Sequence, residues 1–190
     1  ISFHAPEFTP QVTRHLNANE ALYISGPGDF SANADGTPFV RMPDGYTSNF
    51  LVIDALEVAA RRAVSTLVAV GDSITDGSDS TTSFLNAGPA PLVATDQRYP
   101  NHLQRRILEA GLPLTVANAG IGGNELLSEG MLPQFGPALL DRLDADVLKT
   151  AGVSHVLMMI GTNDFGNVSL GTPPTSSQVI TGYQRVIERV

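Results

Sequence analysis

Cysteine is absent from these 190 residues, which rules out disulfides, thiolate nucleophiles and thiolate metal sites. It also removes the usual clue to redox compartment. Lys and Arg are scarce, 11 against 19 Asp and Glu, for a formal net charge of -8. A nucleic-acid surface needs clustered basic residues, so a phosphate backbone is not the expected partner. No apolar run approaches the roughly 20 residues that cross a bilayer. There is no GxxxxGK[ST] loop, no dinucleotide fingerprint, no internal repeat and no heptad. The chain opens Ile1-Ser2-Phe3-His4, without Met or a basic-then-apolar leader. That start is expected to be the interior of a longer polypeptide.

What is present suits a single globular core: 42% hydrophobic and 16% charged residues. Residues 1 to about 50 are rich in Gly, Pro, Asn and Asp, with short apolar pieces at Ala21-Leu22-Tyr23-Ile24 and Phe50-Leu51-Val52-Ile53. They read as short strands and turns. After Arg62 the character changes. Thr66-Leu67-Val68-Ala69-Val70 is a continuous apolar run stopping at Gly71, as in a buried parallel strand. A polar loop from Ser78 to about Asp96 follows. Helical spacing of Leu103, Ile107 and Leu108 predicts a helix over 99–110, stopped by Gly111-Leu112-Pro113. A second strand is expected at 114–117, a helix at about 137–150, a third strand at 153–160 and a helix over 175–190. The last helix sets Val179, Ile180, Tyr183, Val186, Ile187 and Val190 on one face. Strands alternating with helices call for a parallel sheet with right-handed crossovers.

Each of the three strands runs directly into a polar block. The first is Gly71-Asp72-Ser73-Ile74-Thr75-Asp76-Gly77, the second Asn118-Ala119-Gly120-Ile121-Gly122-Gly123-Asn124, the third Gly161-Thr162-Asn163-Asp164. Taken singly they are unremarkable in chemistry: a Ser after a buried strand is most often a helix cap, and the third block reads as a turn. As a set they lie at the carboxyl ends of successive parallel strands, where open α/β sheets collect their ligands.

The set resembles the SGNH/GDSL hydrolase family, whose blocks read GDS, N-A-G-x-x-G and GTND. The resemblance spans roughly residues 66 to 190. It implies a three-layer α/β/α, flavodoxin-like fold, incomplete in this chain, and a carboxylic ester hydrolase without metal or organic cofactor. Ser73 is then the nucleophile. The backbone N–H groups of Ser73 and Gly123 and the side chain of Asn163 form the oxyanion hole, with Gly122 as the alternative if the loop shifts by one. Asp72 and Asp164 organise their loops. Residues 1–62 are expected to be the tail of a β-rich domain and its linker, like that found ahead of the hydrolase in certain bacterial members, and 63–190 the N-terminal part of the hydrolase domain. The substrate is expected to be a small-molecule, carbohydrate or lipid ester, and the home secreted or periplasmic. A non-catalytic carbohydrate-binding module that keeps the pocket, and an acyltransferase, are the alternatives.

A serine nucleophile needs a base, usually His oriented by a carboxylate. The family carries it in a D-x-x-H block, and no D-x-x-H occurs here. His155 opens the third strand while Asn163 follows its end. Eight steps of about 3.3 Å put them on the order of 20 Å or more apart. His102 belongs to the helix running back from the rim. His4 and His15 lie in the β-rich stretch without a paired carboxylate at useful spacing, and His15 borders the pocket only if that stretch folds over it. The Asp/His pair is therefore expected on a second chain or a missing C-terminal segment, packed against the third strand.

Overall fold

The computed structural model describes residues 14–15, 18, 20, 22–42, 50–51, 55–78, 95–166 and 172–190. Four short strands come first. β1 (Arg14–His15) pairs antiparallel with β4 (Phe50–Leu51), and β2 (Tyr23–Ser25) with β3 (Phe39–Arg41). Between β2 and β3 the carboxylates of Asp29 and Asp35 accept the N–H groups of Ser31 and Thr37, the local bonds by which Asp makes turns. The expected strand positions Ala21, Val52 and Ile53 lie outside the described residues, as do 79–94 of the polar loop and His4.

The main sheet has the order β6-β5-β7 and is parallel throughout. β5 (Ser65–Gly71) is its centre, flanked by β6 (Leu114–Gly120) and β7 (Val153–Met159). Val68, Ala69 and Val70 are fully buried, which is why this strand is apolar without alternation. The chain steps out from β5 to β6 through α2 (Tyr99–Glu109). It steps back over β5 to β7 through α3 (Leu139–Leu143), which runs on into a π-helical turn, Asp144–Leu148. Right-handed crossovers in opposite directions put α2 and α3 on opposite faces, giving three layers. α2 also serves the outer edge of β6: Gln104 Oε1 accepts the Val116 N–H at 2.7 Å and the Thr115 hydroxyl at 3.1 Å.

One core cluster holds the α3 side together. Val68 and Val70, two residues apart and so on one face, meet Leu139, Leu143 and Val147, together with Val179 and Val186 of α5 (Ser176–Ile187). The sequence set six apolar residues on one face of this helix; the structure ends α5 before Val190 and divides the rest. Val179 and Val186 are buried and Tyr183 is half-buried, whereas Ile180, Ile187 and Val190 are exposed. Positions 180 and 187 lie about 100° round the helix from 179 and 186, farther than the sheet face reaches. Leu108 is likewise exposed while Ile107 of the same helix is buried. Among the described residues no helix is long and apolar enough to cross a membrane.

Leu143 is fully buried in this cluster, so Leu143→Ala should cost about 2–5 kcal/mol, read as a lowered denaturant midpoint with unchanged slope.

Candidate active site

The parallel register ends all three strands at one level. Gly71 is paired with Gly120 on one side and Met159 on the other, so the three polar blocks leave from a common rim. Gly71 is required by crowding: a Cβ there would lie 2.2 Å from the Met159 carbonyl oxygen and 2.3 Å from Thr75 Oγ1. Asp72 then caps a single-turn helix, α1 (Ser73–Asp76), its Oδ1 accepting the Ile74 N–H at 3.0 Å. Ser73 is the first residue of that turn and is half-buried. No described residue shares a hydrogen bond with its hydroxyl.

The loop after β6 is tied to this turn at several points. Ile121 N–H donates to the Gly71 carbonyl at 3.1 Å, and Gly122 N–H donates to Asp76 Oδ2 at 3.0 Å. Asn118 Nδ2 donates to the Thr75 carbonyl at 2.8 Å. Gly123 has φ of +80°, and a Cβ on it would sit 2.2 Å from the ring of Phe135, so the ring packs directly on the loop backbone. Asn124 is fully buried, with Nδ2 donating to the carbonyls of Phe135 and Pro137 at 2.8 Å each.

The third block forms α4 (Thr162–Gly166). Asn163 Nδ2 donates to the Asn124 carbonyl at 2.9 Å, which sets the carboxamide beside the residue following Gly123. Buried Asp164 accepts the Leu126 N–H at 2.8 Å and the Leu127 N–H at 3.0 Å. The blocks bearing Ser73, Gly123 and Asn163 thus share one rim, and those of Gly123 and Asn163 are hydrogen-bonded to each other.

Two buried arginines, which the sequence reading did not single out, lace this rim together. Arg142 of α3 is 4% exposed. It donates to the Gly71 carbonyl at 3.2 Å, the Ala119 carbonyl at 2.9 Å, Asn124 Oδ1 at 3.0 Å and Asp146 Oδ2 at 3.0 Å. Burial lowers its pKa, and the Asp146 carboxylate opposes the shift. Arg98, before α2, donates to the Asp76 carbonyl at 2.6 Å and reaches the N-terminal stretch at Glu20 Oε1 and the Ala18 carbonyl, 2.6 and 2.7 Å away. His15 touches the same residue: its Nε2 lies 3.1 Å from Asp76 Oδ2.

The remaining described histidines are elsewhere. His102 is exposed and bonded to Arg105, and His155 is exposed on β7 with Nδ1 2.8 Å from Ser154 Oγ. Among the described residues no three His, Asp or Glu side chains cluster as a metal site. Burial pushes the Asp72 carboxyl above the usual carboxylate range, and Asp164 nearby adds to it. Burial likewise raises the Tyr183 phenol, whose hydroxyl donates to the Ile160 carbonyl.

The GDSL-like Lipase/Acylhydrolase family matches residues 69–190, which contain all three blocks. The chain belongs to that family. Among solved structures it is similar to AlinE4, described as an SGNH-hydrolase family esterase, and to a mutant of it, each at 16% identity and a TM-score of 0.47, with 68% of this chain and 55% of that one covered. It is also similar to an active-site mutant of a family two carbohydrate esterase from Clostridium thermocellum, at 22% identity and a TM-score of 0.43, covering 76% of this chain and 42% of the other. The chain therefore spans about half the length of these structures. No curated protein sequence matches it.

Arg142→Met should remove one donor from each of the Gly71 and Ala119 carbonyls and from Asn124 Oδ1, and destabilise the fold on the order of 3 kcal/mol, measured by denaturant titration. Asp72 gives a pH signature. Its folded pKa is raised, so in the window just above the ordinary carboxylate value the folded chain keeps a proton that the unfolded chain has lost. That contribution is fully present below the window and is lost as pH rises through Asp72's raised pKa. Asp72→Asn, which can still cap α1, should flatten this part of the stability–pH curve relative to the unsubstituted chain.

Proposed function

We propose that this chain carries the nucleophile and oxyanion-binding part of a carboxylic ester hydrolase. Ser73 Oγ attacks the ester carbonyl carbon and passes its proton to a base. The carbonyl oxygen becomes an oxyanion, received by the N–H groups of Ser73 and Gly123 and the side-chain amide of Asn163. Collapse expels the alcohol, which takes the proton back from the base, and water then releases the acyl group from Ser73 by the same steps in reverse order. The observation that carries this reading is the bond from Asn163 Nδ2 to the Asn124 carbonyl on a rim where three strands end in register. It leaves the second amide hydrogen of Asn163 unclaimed by any described residue, as a donor for a developing charge. Asp72 and Asp164 act here as organisers: Asp72 holds the Ile74 N–H of its own turn, and Asp164 ties its block to the Leu126 and Leu127 N–H groups of the loop after β6.

The base belongs, in this proposal, to an Asp-x-x-His segment outside these 190 residues, on a second chain or farther along the same one. Strand β7 is where it would dock. Leu157 and Met159 on β7 are 37% and 41% exposed, and β7 ends the described sheet, so further strands can add there.

A fluorophosphonate probe applied to the complete protein tests the reading. Labelling is expected at Ser73 and should vanish in Ser73→Ala without loss of thermal stability. Asn163→Ala should lower ester turnover roughly 10²–10³-fold, the usual effect of removing one oxyanion donor. No labelling and no turnover in the complete protein would make the chain a binding module instead.

A further inference from the structure

Among the described residues, the N-terminal stretch, which the sequence suggests is the end of a separate β-rich unit, is bonded to the rim around Asp76. That contact is made twice. Arg98 bonds the Asp76 carbonyl on one side and Ala18 and Glu20 on the other, while His15 reaches the Asp76 carboxylate directly. Asp76 closes the helical turn that begins at Ser73, and its side chain is 5% exposed, against 32% for His15. A single oxygen of that carboxylate, Oδ2, accepts from Gly122 N–H at 3.0 Å and from His15 Nε2 at 3.1 Å. An ionised carboxylate only accepts, so Nε2 carries the hydrogen.

We propose that His15 is a positioning residue for the loop that follows β6: by fixing the Asp76 carboxylate, it sets the Gly122 amide and with it the neighbouring Gly123 N–H. The inference rests on the ester hydrolase reading above and extends it, because the N-terminal stretch becomes part of the active-site wall. The geometry is economical. Gly122 and Gly123 lack side chains to hold them, so the loop is held by what bonds its backbone and by the Phe135 ring. On the nucleophile side Asp76 bonds Gly122 itself, beside the ties from Ile121 N–H to the Gly71 carbonyl and from Asn118 Nδ2 to the Thr75 carbonyl. The Asp76 carboxylate can turn about χ1 and χ2, and a second partner on the same oxygen removes that freedom. His15 is that partner. Since an oxyanion donor displaced by even about 1 Å loses much of its effect, a residue two bonds removed from the loop can control the rate.

The test compares His15→Gln, whose side-chain N–H can replace Nε2–H, with His15→Ala and with His15→Phe, which fills the space without a donor. In the complete protein, His15→Ala and His15→Phe should lower kcat about 10-fold with KM within about 2-fold, because the donor is misplaced rather than removed. His15→Gln should recover most of kcat. The Gly122 amide should exchange with solvent faster in His15→Phe than in His15→Gln. Glu20→Gln, which weakens the Arg98 contact and leaves the Asp76 carboxylate alone, should lower thermal stability with little change in kcat. Equal kcat in His15→Phe and the unsubstituted protein overturns the proposal. So does a His15→Gln variant as slow as His15→Phe, since the imidazole would then be needed for something other than its N–H. Absence of Ser73-dependent turnover in the unsubstituted protein would count against the hydrolase reading alone. In that event, Gly122 exchange still decides whether His15 holds the loop.

Discussion

The guanidinium of Arg142 is the charge around which the rim is assembled. Strands that end together leave carbonyl groups with no strand beyond to pair them, and a buried carbonyl without a donor costs about 1–3 kcal/mol. Arg142 donates to the carbonyl of Ala119 and to that of Gly71, which also accepts from Ile121 N–H, and its Nε donates to Asn124 Oδ1. Five N–H groups in a rigid fork suit this task, whereas a lysine ammonium could not span two strands and a side chain at once. The charge itself is kept in balance by Asp146, one helical turn along. The adjacent ends of β5 and β6 and the loop carrying Gly123 thereby become one unit.

The other blocks at the rim are fastened to that unit by short polar links, with the Phe135 ring packed on the Gly123 loop. Asn124 passes the constraint to the 3-10 turn at Phe135 and, through its own carbonyl, to Asn163. Asp164 anchors the third block by holding two backbone amides that follow Asn124. Asp76 and Arg98 do the same for the N-terminal stretch. Such a network holds backbone donors in place before any substrate arrives, which is the condition for electrostatic stabilisation of a transition state to cost no reorganisation.

Much of this was legible beforehand. The three strands, the order of the polar blocks and helices near 99–110 and 175–190 follow from runs of apolar residues and their stops. The apolar face of α5 is narrower than its sequence pattern implies, because periodicity gives the direction of burial and not its breadth. Leu139, Arg142 and Leu143 share the spacing of a core-facing stripe, and an Arg within such a stripe is a signal of a buried polar task that could have been taken up. His15 and Asp76 offer no such signal, being 61 positions apart with β2 to β5 between them.

By itself, then, the sequence determined the local elements, the family and the residues offered at each strand end, because these depend on side-chain chemistry over short spans of chain. Only the tertiary structure decided which blocks are bonded to which, that two arginines hold them, and that the N-terminal stretch reaches the helical turn that begins at Ser73. Those are contacts between segments distant along the chain. Their formation depends on register, twist and helix placement summed over the whole molecule, and no short pattern of residues records that sum.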